Sequence, residues 1–220
     1  ARTGAVWGTM FGFPGAVFRL TPGANPPETA LTEIFELPMR DGKPMEGFSP
    51  RGGDVDRHGV FWAALGSGHM ASFDRRKCTG RLNGPTATGQ HCPEGWRFYA
   101  QPLRQLGNVT SAGSGEGSYF TWVDQFNTLG LGENVPINTG NQSEGLLVLK
   151  DGKWVVLRVP YPMGFYTKWL DGRIDDPSAG WKGRGLWAAV STRAPFHMEG
   201  GKGTTSKVYK FQLRRDPLAR

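Results

Sequence analysis

Hydrophobic residues gather in short runs bounded by glycine, proline, asparagine or aspartate, and no long window keeps the i, i+3, i+4 spacing of an amphipathic helix. Three of these runs end alike: Thr32-Glu-Ile-Phe-Glu-Leu-Pro38, Trp96-Arg-Phe-Tyr-Ala-Gln-Pro102 and Trp154-Val-Val-Leu-Arg-Val-Pro160. Each reads as a strand closed by a proline. Each follows a tryptophan element, at Val6-Trp7, Phe61-Trp62 and Thr121-Trp122, and a fourth such element, Gly185-Leu-Trp187, precedes the run Val208–Leu213. The stretch Asp54–Trp62 reads as strand, turn at His58-Gly59, strand, with Gly68–Asp74 as the strand after it. Gly145–Leu149 and Trp154–Pro160 flank Lys150-Asp-Gly-Lys153, and Asp-Gly between two apolar runs is a strong hairpin signal.

A repeat built only from short strands is the sequence mark of a β-propeller. The expected fold is therefore all-β, with four blade-like units at about 1–38, 50–102, 118–160 and 183–220. Between them lie inserts at 75–95, 103–117 and 161–183, the second of them a Gly/Ser tract that reads as a flexible loop. Where both faces of a blade are buried between neighbours, alternation along its strands is expected to blur.

Composition changes this picture little. Hydrophobic residues at 38% with 12% aromatics suffice for a core, and 33 glycines with 16 prolines suit many tight turns. No run of apolar residues is long enough for a membrane-spanning helix. The two cysteines, Cys78 and Cys92, lie in one polar loop that lacks an apolar stripe to anchor it. A disulfide there would stabilise by roughly 3 kcal/mol on the chain-entropy model and points to a periplasmic or extracellular location. The chain begins at Ala1, from which a removed leader or a longer polypeptide is expected. The formal charge of +7 comes from scattered basic residues, without the dense basic stripe and exposed aromatics that nucleic acid requires, so no nucleic-acid partner is expected.

The pattern Asp56-x-x-Gly59-x-x-Trp62, the strand Met70–Asp74 and the proline-closed runs Thr32–Pro38 and Trp154–Pro160 resemble the streptogramin lyase-like (virginiamycin B lyase-like) propellers, and in looser form NHL-type propellers. The resemblance implies six or seven blades. Four units then mean either a four-bladed propeller with long loops or part of a larger ring, and the second is the expectation adopted. It also implies a metal-assisted histidine and glutamate site that opens a lactone by elimination. His197 and Glu199, alternating in Phe196-His-Met-Glu199, come nearest to such a pair, since on a strand both side chains share a face.

Asp171, Asp175 and Asp176 put three carboxylates into six residues and are the candidate ligands for a divalent metal, Mg or Ca, although Arg173 can neutralise them without one. Asp54 and Asp56 read as turn and channel-facing residues of the repeat. Two functions are compatible with these features: an exported propeller that binds or scaffolds a partner protein, the remaining blades of the same polypeptide or a small ligand, or a metal-assisted lyase. The convincing motifs are all structural, which favours the first.

Overall fold

The computed structural model describes residues 4–108, 113–160, 163–180, 182–190 and 207–213. Among these, helical structure is confined to two single 3-10 turns, Arg75–Lys77 and Pro93–Gly95. The rest is strand and connection, in four antiparallel meanders. Sheet one holds β1 (Val6–Met10), β2 (Ala16–Thr21) and β3 (Leu31–Glu36). After a small hairpin of β4 (Met39–Arg40) and β5 (Lys43–Pro44) comes sheet two, with β6 (Pro50–Val55), β7 (Phe61–Leu65), β8 (His69–Phe73) and β9 (Trp96–Ala100). Sheet three holds β10 (Thr121–Asp124), β11 (Val135–Gly140), β12 (Gly145–Lys150) and β13 (Lys153–Arg158), and sheet four β14 (Thr167–Arg173), β15 (Gly185–Val190) and β16 (Lys207–Phe211). Consecutive strands pair within each sheet, which is the up-and-down blade of a propeller.

The middle strands show why alternation is weak in the sequence. Every residue of β8, and all of β12 except Lys150, is buried, because both faces of these sheets are covered by neighbours. Besides the small β4–β5 hairpin, two strands of the four sheets lie where the sequence pattern predicts none. β11, Val-Pro-Ile-Asn-Thr-Gly, has little strand-like composition, yet it is wholly buried between β10 and β12, with Pro136 opposite Val123. β14 lies within the stretch that reads as an insertion and forms the first strand of sheet four.

Apolar packing falls into two bodies. Val17, Phe35, Leu37, Phe61, Leu65 and Phe73 fill the space between sheets one and two. Ile137, Leu146, Val148, Phe165, Leu170 and Leu186 do the same for sheets three and four. Trp7 stacks on Phe61 with ring centroids 5.4 Å apart, and Phe35 lies 4.6 Å from Phe73. Cys78 and Cys92 are joined, and Cys92 is buried in the first body, so the bridge ties the 78–92 loop to the core.

The seam between sheets two and three is polar instead. Asp54 accepts from the Val123 N–H (3.0 Å), Gln125 donates to the Val55 carbonyl (2.8 Å), Arg51 to the Ser118 carbonyl (3.0 Å), and Gln101 to Ser118 Oγ (2.8 Å). The Gly/Ser tract belongs to this seam. From Ser114 to Ser118 it is held down rather than loose, with Ser114, Glu116 and Ser118 buried. Gly68, at φ +75°, lets the Ser114 backbone approach where a Cβ would collide.

Glu116 is the latch. Its carboxylate accepts from the Gln142 N–H (2.8 Å), the Ser143 N–H (3.1 Å) and the Ser143 hydroxyl (2.6 Å). Glu116→Ala removes the acceptor of three donors, two of them buried on Ser143, and hydrogen bonds to a charged group contribute about 1.5–3 kcal/mol. We expect a loss of about 2 kcal/mol in the urea midpoint analysis, together with faster amide exchange at Gln142 and Ser143. An unchanged midpoint would show that the tract is held by other contacts.

Candidate functional site

Neighbouring sheets meet through their first strands, and the direction of those strands separates sheet one from the rest. β6 and β10 run parallel: Gly52 bridges Phe120 in a parallel sense, and the Arg51–Ser118, Asp54–Val123 and Val55–Gln125 contacts step forward together. β10 and β14 also run parallel, since Tyr119 meets Tyr166 while Trp122 lies against Gly172. β1 runs the other way. Thr9 Oγ1 donates to the Arg51 carbonyl and Pro14 accepts from the Ser49 N–H, whereas Trp7, earlier in the chain, lies beside Phe61 at the far end of β6.

β1 therefore corresponds to β7, the second strand of sheet two, and β1–β2–β3 are the counterparts of β7–β8–β9. The tryptophans obey this register only in part. Trp7, Trp62 and Trp187 sit on corresponding strands, while Trp122 sits on the first strand of sheet three.

The face of sheet one turned away from sheet two is apolar and, among the described residues, uncovered. Strand pairing places Val6 beside Leu20, and Gly8 beside Phe18 and Ile34. Val6 is 55% exposed, Met10 46% and Ile34 40%. At the other end, the outward face of sheet four carries Trp187, Ala189 and the exposed Val208, with Lys210 over the Trp187 ring at 5.4 Å.

The site residues expected from the sequence fare differently. His197 and Glu199 lie outside the described residues. Asp171, Asp175 and Asp176 are close in sequence but committed to separate partners. Asp171 pairs with Arg173 on β14. Asp175 accepts from the backbone N–H groups of Gly183 (2.9 Å) and Arg184 (3.0 Å). Asp176 accepts from Ser178 Oγ (2.6 Å) and the turn amides of Ser178 and Ala179, and the Ser178 hydroxyl holds its pKa below the usual carboxylate range. Among the described residues no three His, Cys, Asp or Glu side chains converge as a metal site.

Asp175 shares its task with two other carboxylates. Asp56 comes directly after β6 and accepts from the N–H groups of His58 (2.8 Å) and Val60 (2.9 Å) and from the Trp62 indole N–H (3.0 Å). Asp124 ends β10 and accepts from the N–H groups of Thr128 (2.7 Å) and Leu129 (2.8 Å). The Asp-x-x-Gly-x-x-Trp pattern is thus a turn clamp, in keeping with the turn role expected of Asp56.

Burial also shifts the pKa values of the half-buried Asp54 and the buried His69. Burial pushes Asp54 up, against the lowering effect of the Val123 and Val55 amides. Burial pushes His69 down; the ring is fully enclosed, with Nδ1 3.1 Å from Ser67 Oγ, and Phe98 packs against it edge-on.

The chain matches no protein-family model and no curated protein. Solved structures similar to it include a streptogramin B lyase (13% identity, TM-score 0.45, 93% of this chain and 54% of that one). Another is a selenomethionine-substituted virginiamycin B lyase from Staphylococcus aureus (15% identity, TM-score 0.42, 96% and 55%). A third is a catalytically inactive form of that lyase with quinupristin (13% identity, TM-score 0.43, 93% and 54%). The chain spans about half the length of these proteins. Its blade architecture stands on its own strand order and register.

The lowered His69 pKa fixes a pH dependence. The unfolded imidazole takes up a proton near pH 6.5, while the folded one takes it up only at lower pH. The contribution of His69 to stability is therefore level above about 6.5 and falls as pH drops below it, with a limiting slope of about 1.4 kcal/mol per pH unit. In His69→Gln this part of the slope disappears between pH 6.5 and 5, whatever the variant's absolute stability. Parallel pH profiles for the two proteins would show that His69 titrates alike folded and unfolded.

Proposed function

We propose that this chain is a binding and scaffold component of a β-propeller, and that its end sheets dock onto further blades. The observation that carries this reading is the uncovered apolar face of sheet one, with Val6, Met10 and Ile34 between 40% and 55% exposed. The opposite face of the same sheet presents Val17 and Phe35, which are fully buried against sheet two. A sheet built to be covered on both sides is covered on one.

The occupant that fits is another sheet of the same kind, because the repeat that stacks sheet two on sheet one also places a blade on the outer side. The Cys78–Cys92 bridge supports placing the protein in the periplasm or outside the cell.

The test is native mass spectrometry of the protein isolated from its source, with intact mass measured in parallel. We expect either a polypeptide heavier than 24.1 kDa or a stoichiometric assembly. The doubly substituted Val6→Lys, Ile34→Lys protein should lose the assembly, or the compactness of the longer chain, while sheet two stays folded. A stable, free monomer of 24.1 kDa would overturn the proposal.

A further inference from the structure

On the inner side of sheet one, the junction with sheet two opens into a cleft of about 920 Å³. Four guanidinium groups from three separate segments converge on it: Arg19 from β2, Arg57 from the turn after β6, and Arg75 and Arg76 from the 3-10 turn after β8. Trp7 contributes to the lining, with part of its indole covered by Phe61 and Phe35.

The floor is fixed before any ligand arrives. Glu33, 1% exposed, accepts from Arg75 Nε (2.9 Å) and Nη2 (2.5 Å) and from Arg19 Nη1 (3.2 Å). Arg19 also donates to Thr21 Oγ1 (2.8 Å). One carboxylate between two guanidinium groups leaves a formal surplus of positive charge at the floor, and the bidentate contact sets the Arg75 plane.

The rim is different. Arg57 pairs with Glu133 (2.7 Å) and Arg76 with Asp74 (2.8 and 3.0 Å), both near solvent, where ion pairs are weak and exchange readily. Asp56 also lines the cleft, but its oxygens are held by the donors of its own turn. Glu33, Asp56, Asp74 and Glu133 offset the four arginines in formal charge. Recognition here is by directed N–H donors at short range, not by a long-range field.

We propose that this cleft binds a small organic anion that joins a planar ring to a carboxylate or phosphate. The anionic oxygens are taken by Arg75 at the floor and by Arg57 and Arg76 at the rim, and the ring lies against Trp7. The volume suits such a ligand, since small-molecule pockets usually enclose about 300–1,000 Å³. Guanidinium groups match the geometry of both oxyanions, and the indole supplies the apolar surface. This site is separate from the docking face of sheet one, which lies on the other side of the same sheet.

The experiment is calorimetric titration of the 220-residue chain with phenyl phosphate, benzoate and inorganic phosphate, at low and high salt. We expect saturable binding of at least one aryl anion, weakened by salt. Inorganic phosphate should bind about tenfold more weakly or worse, because it lacks the ring. The Arg57→Ala, Arg76→Ala protein, which loses only rim side chains, should keep its thermal midpoint and bind the aryl anion about tenfold more weakly. Phenyl phosphate and benzoate distinguish the two headgroups. Absence of saturable binding by either aryl anion would overturn the proposal. So would unchanged affinity in the folded double variant, or inorganic phosphate binding as tightly as the aryl anions.

Discussion

Each chain segment that leaves a first strand must turn outward without a neighbouring strand to take its amide hydrogens, and an aspartate carboxylate does so in three of the four sheets. Asp56, Asp124 and Asp175 stand at equivalent places and accept two or three donors each from the connection to the next strand. A buried backbone N–H without a partner costs about as much as a lost hydrogen bond, so these carboxylates are structural requirements. The clamp also aims the second strand. Asp56 holds the Trp62 indole as well as the turn, which fixes the start of β7, and the first strands can then run side by side in parallel.

Once the turns are clamped, the manner in which the sheets stack decides how the molecule is held together. Aromatic and aliphatic side chains fuse sheet one to sheet two and sheet three to sheet four. The two bodies meet through amides, carbonyls and carboxylates, with Glu116 and Asn141 tying loops across them. Asn141 donates to the Gly117 carbonyl, and within the second body it ties sheet three to sheet four by donating to the Thr167 carbonyl and accepting from the Thr167 N–H. A hydrogen-bonded seam depends on direction in a way that an apolar one does not, since each misaligned donor becomes an unsatisfied buried group. It fixes the angle between the two bodies, and therefore the curvature with which blades succeed one another.

Much of the architecture was legible in the sequence because it rests on local signals. The proline-closed runs are the last strands β3, β9 and β13, and Lys150-Asp-Gly-Lys153 is the hairpin turn between β12 and β13. What stayed hidden depends on tertiary context. β11 carries Pro136, Asn138 and Gly140, which signal a loop, and becomes a strand because both neighbours and both faces enclose it. The tryptophan repeat misled at Trp122, since a tryptophan suits any half-covered sheet position and does not say which strand it occupies. The three aspartates at 171–176 looked like ligands through proximity in sequence. Along a strand and a turn, proximity does not converge side chains on one point, and each found a nearer donor.

The cleft arginines were invisible for the complementary reason. In the sequence Arg19, Arg57 and the pair Arg75-Arg76 stand in three separate segments, and only the folding of β2 against the ends of β6 and β8 collects them. The one local hint is Glu33. It stands on the face of β3 that also carries Phe35, toward the apolar core, where a lone carboxylate would be costly. A charge placed there has to be met, and the side chains that meet it come from β2 and from the segment after β8. The buried glutamate thus links packing to recognition: the interaction that lets sheets one and two close also orients Arg19 and Arg75 at the floor between them.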